Sequence, residues 1–101
     1  MTLDTQALPA WLAVTEEGVT VTLRYKASFN GVLVDKLTMR APSVKEFNAA
    51  KMIAAGDMEK MELHLFCSLL SVAEADLLAL KLKDYNRLQA GYFRLVEEDD
   101  V

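Results

Sequence analysis

The sequence predicts an α+β fold: an N-terminal antiparallel β-hairpin over about 19–40, followed by about four α-helices. Three observations predict it. Val19, Val21, Leu23 and Tyr25 alternate with Thr20, Thr22 and Arg24, a period of two rich in β-branched residues. Asn30-Gly31 supplies a hairpin turn dipeptide soon after. From Ser43 onward, capping residues at regular intervals divide the chain into helices.

The hairpin comes first. Its second strand runs from about Val32 to Arg40, with Leu33, Leu37 and Met39 on one face. A two-residue Asn30-Gly31 loop would place Leu37 opposite Arg24 and Met39 opposite Thr22. The apolar residues would then lie on opposite faces, which a half-buried sheet does not tolerate. The expectation is therefore a three-residue loop, Phe29-Asn30-Gly31, or a bulge of equal effect. Either pairs Leu23 with Leu37 and Val21 with Met39.

Pro42 ends the second strand. Ser43-Val44-Lys45-Glu46 has capping-box spacing and opens a helix over about 44–55, stopped by Gly56. Asp57 caps a helix over about 58–70. Ser71-Val72-Ala73-Glu74 repeats the capping-box spacing before a short helix over about 72–80. Asp84 marks the start of the last, over about 84–96, whose apolar face is Tyr85, Leu88, Tyr92, Leu95 and Val96. Gly91 within it permits a close approach or an early end.

The chain has 101 residues, 52% of them hydrophobic and 26% charged, which suits one globular domain. Residues 1–18, with Pro9 and Gly18, read as a loosely structured lead-in whose Leu8, Trp11 and Leu12 can dock onto the rest. Residues 19–96 read as the single domain and 97–101 as an acidic tail. The net charge of −4 resides in Glu97, Glu98, Asp99 and Asp100; the other 11 acids balance 11 bases. Without a basic stripe to neutralise phosphates, the sequence points away from nucleic acid. One cysteine, Cys67, precludes an intrachain disulfide and suits a reducing compartment. Neither a secretory signal nor a membrane span is expected, and the expected location is cytoplasmic.

The chemistry-bearing residues are sparse. His64 and Cys67 lie three apart on one helix, but zinc takes about four ligands and the chain has no second Cys or His. Glu46, Asp57, Glu59, Glu62, Glu74 and Asp76 sit at caps, in first turns or among solvent positions, where capping and solvation account for them. There is no glycine-rich phosphate loop and no cofactor motif. The expectation is no enzyme, no metal and no cofactor. The rival reading is a small enzyme using His64 or Cys67.

The informative element is the second helix. Met58, Met61, Leu63, Leu65, Phe66, Cys67, Leu69 and Leu70 cover most of its circumference, leaving a narrow polar stripe of Asp57, Lys60, His64 and Ser68. A helix apolar nearly all round is buried. It is either the central core helix of this small fold or presents an apolar face to a partner. Its methionines suit a surface that must repack.

The order of motifs resembles the phage tail assembly chaperones, and more narrowly the short tail assembly proteins of Mu-like and related contractile-tailed phages and prophages. Trp11-Leu12, VTVTLRY and Asn30-Gly31 precede LTMRAPSVKEF (37–47), in which Leu37, Thr38, Met39, Arg40, Pro42, Ser43 and Val44 match the family's strand end and helix start. Asp57 to Leu69 is similar to its acidic-start helix and Glu74 to Leu80 to its short helix. Asp84-Tyr85-Asn86-Arg87-Leu88-Gln89 follows its Asp-Tyr-x-Arg-Leu-Gln motif. The resemblance covers about residues 11 to 95. The chain departs at Leu70-Ser71, where the family usually has a glycine, and at Ala73, where it has proline.

The resemblance implies a non-catalytic chaperone that binds the tape measure protein, whose long apolar helices would otherwise aggregate before the tail tube forms. It implies action in the cytoplasm of the bacterial host and absence from the mature virion. It also implies a frameshift-extended form of the same chain as a partner, which a protein sequence, holding no codons, does not reveal. One small unit cannot shield a long helix, so a homo-oligomer is expected. Holding such a helix requires an exposed apolar surface. The candidate partner-binding residues are Met58, Met61, Leu65, Phe66 and Leu69 on the second helix, with Tyr85, Leu88 and Tyr92 on the last. The alternative is a structural or adaptor protein retained in the tail particle.

Overall fold

The computed structural model describes residues 8–97. In chain order the elements are β1 (Leu12–Val14), β2 (Gly18–Phe29), β3 (Val32–Arg40), α1 (Val44–Ala54), α2 (Met58–Leu70), α3 (Glu74–Leu78) and α4 (Leu82–Val96). The strands form one antiparallel sheet in the order β1-β2-β3, and four helices follow, an α+β architecture. Residues 98–101 of the expected acidic tail lie outside the described residues.

The N-terminal segment, expected to be loosely structured, contains a strand. Leu12 pairs with Val21 and Val14 with Val19, and a turn at Thr15–Gly18 joins β1 to β2. Three residues are too few for alternation to register in a sequence. The strand exists because the outer edge of β2 offers unpaired backbone groups. Leu12 is buried, while Leu8 and Trp11 pack against the core.

The hairpin loop is also corrected. Phe29 pairs with Val32 across a two-residue Asn30-Gly31 turn, with φ of 55° and 80°. Positive φ at both positions matches the twist of the flanking strands, and Asn-Gly tolerates it. The face conflict is resolved farther down. Thr22 pairs with Lys36 and Ala27 with Val34, so Leu23–Lys26 oppose Asp35 alone. Three extra residues, an odd number, return Leu37 and Met39 to the apolar face. Their partners are Val21 and Val19, two residues from the predicted ones.

A helix holds this irregularity in place. Asp84 of α4 is fully buried, and its carboxylate accepts the backbone N–H of Arg24 at 2.6 Å and of Tyr25 at 3.0 Å. Arg87 donates to the Thr22 carbonyl at 2.8 Å and stacks its guanidinium 5.0 Å from the Trp11 ring centre. Asp84 was expected to start α4; the helix instead begins at Leu82, with Lys81 as its N-cap.

The caps of α1 and α2 form as expected. The Ser43 hydroxyl accepts from the Glu46 N–H at 3.1 Å, and the Glu46 carboxylate accepts from the Ser43 N–H at 3.0 Å. Asp57 accepts from the Glu59 and Lys60 amides. The expected Ser71 box does not form. Ser71 closes α2 in a left-handed conformation, φ 58°, and Ala73 precedes α3 without a side-chain cap. Accordingly α3 is shorter than predicted.

One hydrophobic cluster joins all the layers. It takes Val19, Val21, Leu37 and Met39 from the sheet, Ala50 and Ala54 from α1, and most of the buried face of α2. The last helix crosses the sheet at Gly91, where a β-carbon would lie 3.1 Å from a Val19 methyl and 3.2 Å from a Val21 methyl. That is the close approach the glycine permits.

Candidate functional site

The residues proposed for partner binding divide by depth. Met61, Leu65, Phe66, Leu69 and Leu88 are buried, and Phe66 and Leu88 are wholly inaccessible. Met61, Leu65, Phe66 and Leu69 are core residues of α2, and Leu88 is a core residue of α4. Met58, in the first turn of α2, is 69% exposed. Tyr85 and Tyr92 are half-buried and pack on Phe66, with ring centres 5.7 and 5.4 Å away.

These rings bridge α2 and α4, and the bridge is otherwise polar. Glu62 accepts from the Tyr85 hydroxyl at 2.7 Å and from the Gln89 side-chain amide at 3.0 Å. Burial, reinforced by the Glu62 carboxylate, holds the Tyr85 phenol well above its ordinary pKa. Tyr92 is raised for the same two reasons. Both phenols therefore stay neutral, and Tyr85 is a fixed donor to Glu62.

On either side of this bridge the surface is concave. One depression, about 300 Å³, is bounded by Met58, Met61, Leu65, Phe66 and Tyr92, with Glu59, Glu62 and Gln89. The other, about 650 Å³, lies among α2, α3 and the first turns of α4. Its apolar surface comes from Leu63, Leu77, Leu78, Leu80, Leu82 and Tyr85, and its acidic groups are Asp57, Glu59, Glu62 and Glu74. Leu78 and Leu82 are 65% and 73% exposed. Glu59, Glu62 and Gln89 border both depressions, so the two adjoin across the bridge and are together termed the groove along α2 and α4.

Sequence reasoning missed the α3 side of this groove. Leu78 and Leu82 belong to different helices, so no single helical period displays them together. The available signal was an excess of leucines over 77–82 for so short a helix.

Of the residues considered for chemistry, Asp57, Glu59, Glu62 and Glu74 border the larger depression, and Glu46 and Asp76 do not. His64 is exposed on α2, and Cys67 is half-buried, its thiol pKa raised by burial and then by Glu74. Asp76 accepts the Asn30 N–H at 3.0 Å, pinning the hairpin turn to α3. Glu46 pairs with Arg40. Among the described residues, no group of three or more His, Cys, Asp or Glu is placed to hold a metal ion. None of the described helices is long and apolar enough to cross a membrane.

Searches of curated proteins and of solved structures returned no match. Residues 20–97 match a family described as phage tail assembly chaperone proteins, E, or 41 or 14. The match spans β2 to the end of α4, including the bulge, the Asp84 contact and both walls of the groove. It covers well over half of the chain, and the chain belongs to the phage tail assembly chaperone family.

Proposed function

We propose that this chain is a non-catalytic chaperone that binds the tape measure protein during tail assembly and is released before the particle is complete. It acts in the cytoplasm of the bacterial host, on behalf of a phage or prophage, and self-associates to cover a long client. A frameshift-extended form of the same chain is a further partner. The observation that carries this reading is the open groove along α2, α3 and α4, with exposed Met58, Leu78 and Leu82, on a chain of this family. A concave apolar strip between helices suits an amphipathic helix laid along it. Tyr85, Tyr92 and Met58 are the members of the predicted set an incoming helix can reach.

The test is co-expression with the tape measure protein of the same genome. The expected result is a soluble complex that co-purifies, with the client insoluble when expressed alone. A client equally soluble without the chain, and no co-purification, would overturn the proposal. Mass spectrometry of purified virions separates it from the adaptor alternative, because a released chaperone is absent and an adaptor is present in fixed proportion.

A further inference from the structure

The groove carries a charge pattern as well as an apolar surface. Lys60 is the one basic side chain on its walls, against Asp57, Glu59, Glu62 and Glu74. Two of those acids are already engaged: Asp57 caps α2 and Glu62 joins Tyr85 and Gln89. Glu59 and Glu74 pair with no lysine or arginine among the described residues. They stand beside leucines that are themselves uncovered, Leu78 and Leu82.

We propose that the groove docks an amphipathic helix of a partner protein whose apolar stripe is flanked by lysines or arginines. The inference rests on the chaperone reading and adds the chemistry by which a client segment is chosen. Leucines spaced one turn apart on the incoming helix meet Leu63, Leu78, Leu82 and Tyr85. Basic residues beside that stripe meet Glu59 and Glu74. An acid-flanked helix with the same stripe brings like charges together and is rejected, so the rim provides selectivity and encounter rate as well as affinity. The occupant is a heterologous helix and not a second copy. The exposed face of α1, with Val44, Met52 and Ile53 beside Lys45 and Lys51, makes a second copy the rival occupant, and light scattering tests it.

The test uses the full chain and two synthetic helical peptides with identical leucine stripes, one flanked by lysines and one by glutamates, followed by fluorescence anisotropy. At low salt the lysine peptide is expected to bind about tenfold or more tighter, and the gap to narrow as salt screens the rim. The double variant Glu59→Lys/Glu74→Lys should reverse the preference. Leu78→Ser/Leu82→Ser should weaken both peptides. Glu16→Lys/Glu17→Lys, an equal charge change at residues that do not line the groove, should leave the preference in place. All six positions are exposed, and circular dichroism checks that each variant is folded.

Equal binding of the two peptides overturns the inference, as does an equal response to the Glu16/Glu17 variant. Light scattering that shows a dimer abolished by Leu78→Ser/Leu82→Ser, with no peptide binding, also overturns it and assigns the groove to a second copy. A lysine-peptide preference without tape measure co-purification leaves the groove chemistry standing and removes the chaperone client. Co-purification that ignores these substitutions does the reverse.

Discussion

Replacing Asp84 by alanine removes one carboxylate and leaves two backbone amides of the β2 bulge, Arg24 and Tyr25, without their acceptor. Hydrogen bonds to a charged group contribute about 1.5–3 kcal/mol each, so the two together are worth about 3–6 kcal/mol. Release of the desolvation cost of a buried carboxylate offsets part of this. We expect a net loss of about 3 kcal/mol, out of the roughly 5–15 kcal/mol typical of a domain. At about 4–8 °C per kcal/mol for a domain of this size, the melting midpoint falls by about 12–24 °C. Asp84→Asn keeps the volume but sets an NH2 donor against one of the two backbone amides, so its loss should be comparable. Urea unfolding followed by circular dichroism measures both. Hydrogen exchange localises the effect, because the Arg24 and Tyr25 amides should lose protection before the other β2 amides. A loss below about 1 kcal/mol for the alanine variant, with those two amides still protected, would refute the reasoning. The bulge would then be held by the Arg87 bond to Thr22 and by apolar pairing of Val19 and Val21 with β3.

The other expectations concern single positions. Ser71→Gly relieves a left-handed residue at the end of α2 and should stabilise by about 0.5–1 kcal/mol in the same urea assay. Gly91→Leu forces a side chain against Val19 and Val21 and should cost about 1–3 kcal/mol, read as a fall in melting midpoint. The bonds to Arg40 and then to the Ser43 amide hold the Glu46 carboxyl down at about 2, from an ordinary 4.5. A depressed carboxyl stabilises above its unfolded pKa, and the effect disappears as pH falls through the folded value. The Glu46→Gln variant should therefore show a flatter stability profile between about pH 4.5 and 2, most clearly at low salt.

Residues whose signals are local were legible. The Ser43–Glu46 box and the Asp57 cap depend on a few neighbouring atoms, and α1 and α2 start where those residues place them. Ser71 has the same spacing to Glu74 but a different outcome. Its backbone is already committed to closing α2, with its N–H and that of Val72 donating to carbonyls of the last turn. A residue between two helices serves one of them, and the choice depends on how the first helix ends. The candidate site divides the same way. The apolar arc of α2 announced a helix with something to cover, but periodicity does not say which part the sheet and α1 cover. Tertiary packing buried Leu65, Phe66 and Leu69, left Met58 open, and built the other groove wall from Leu78 and Leu82.

The hairpin draws the line most sharply. Alternation in β2 and β3, with Asn30-Gly31 between them, determined that two strands pair and that an odd register shift must intervene, because side-chain faces alternate with every residue. The size and place of that shift were decided by a residue about sixty positions away in sequence. A three-residue bulge needs acceptors for the amides it removes from the ladder, and only the packing of α4 across the sheet, at Gly91, brings the Asp84 carboxylate within reach.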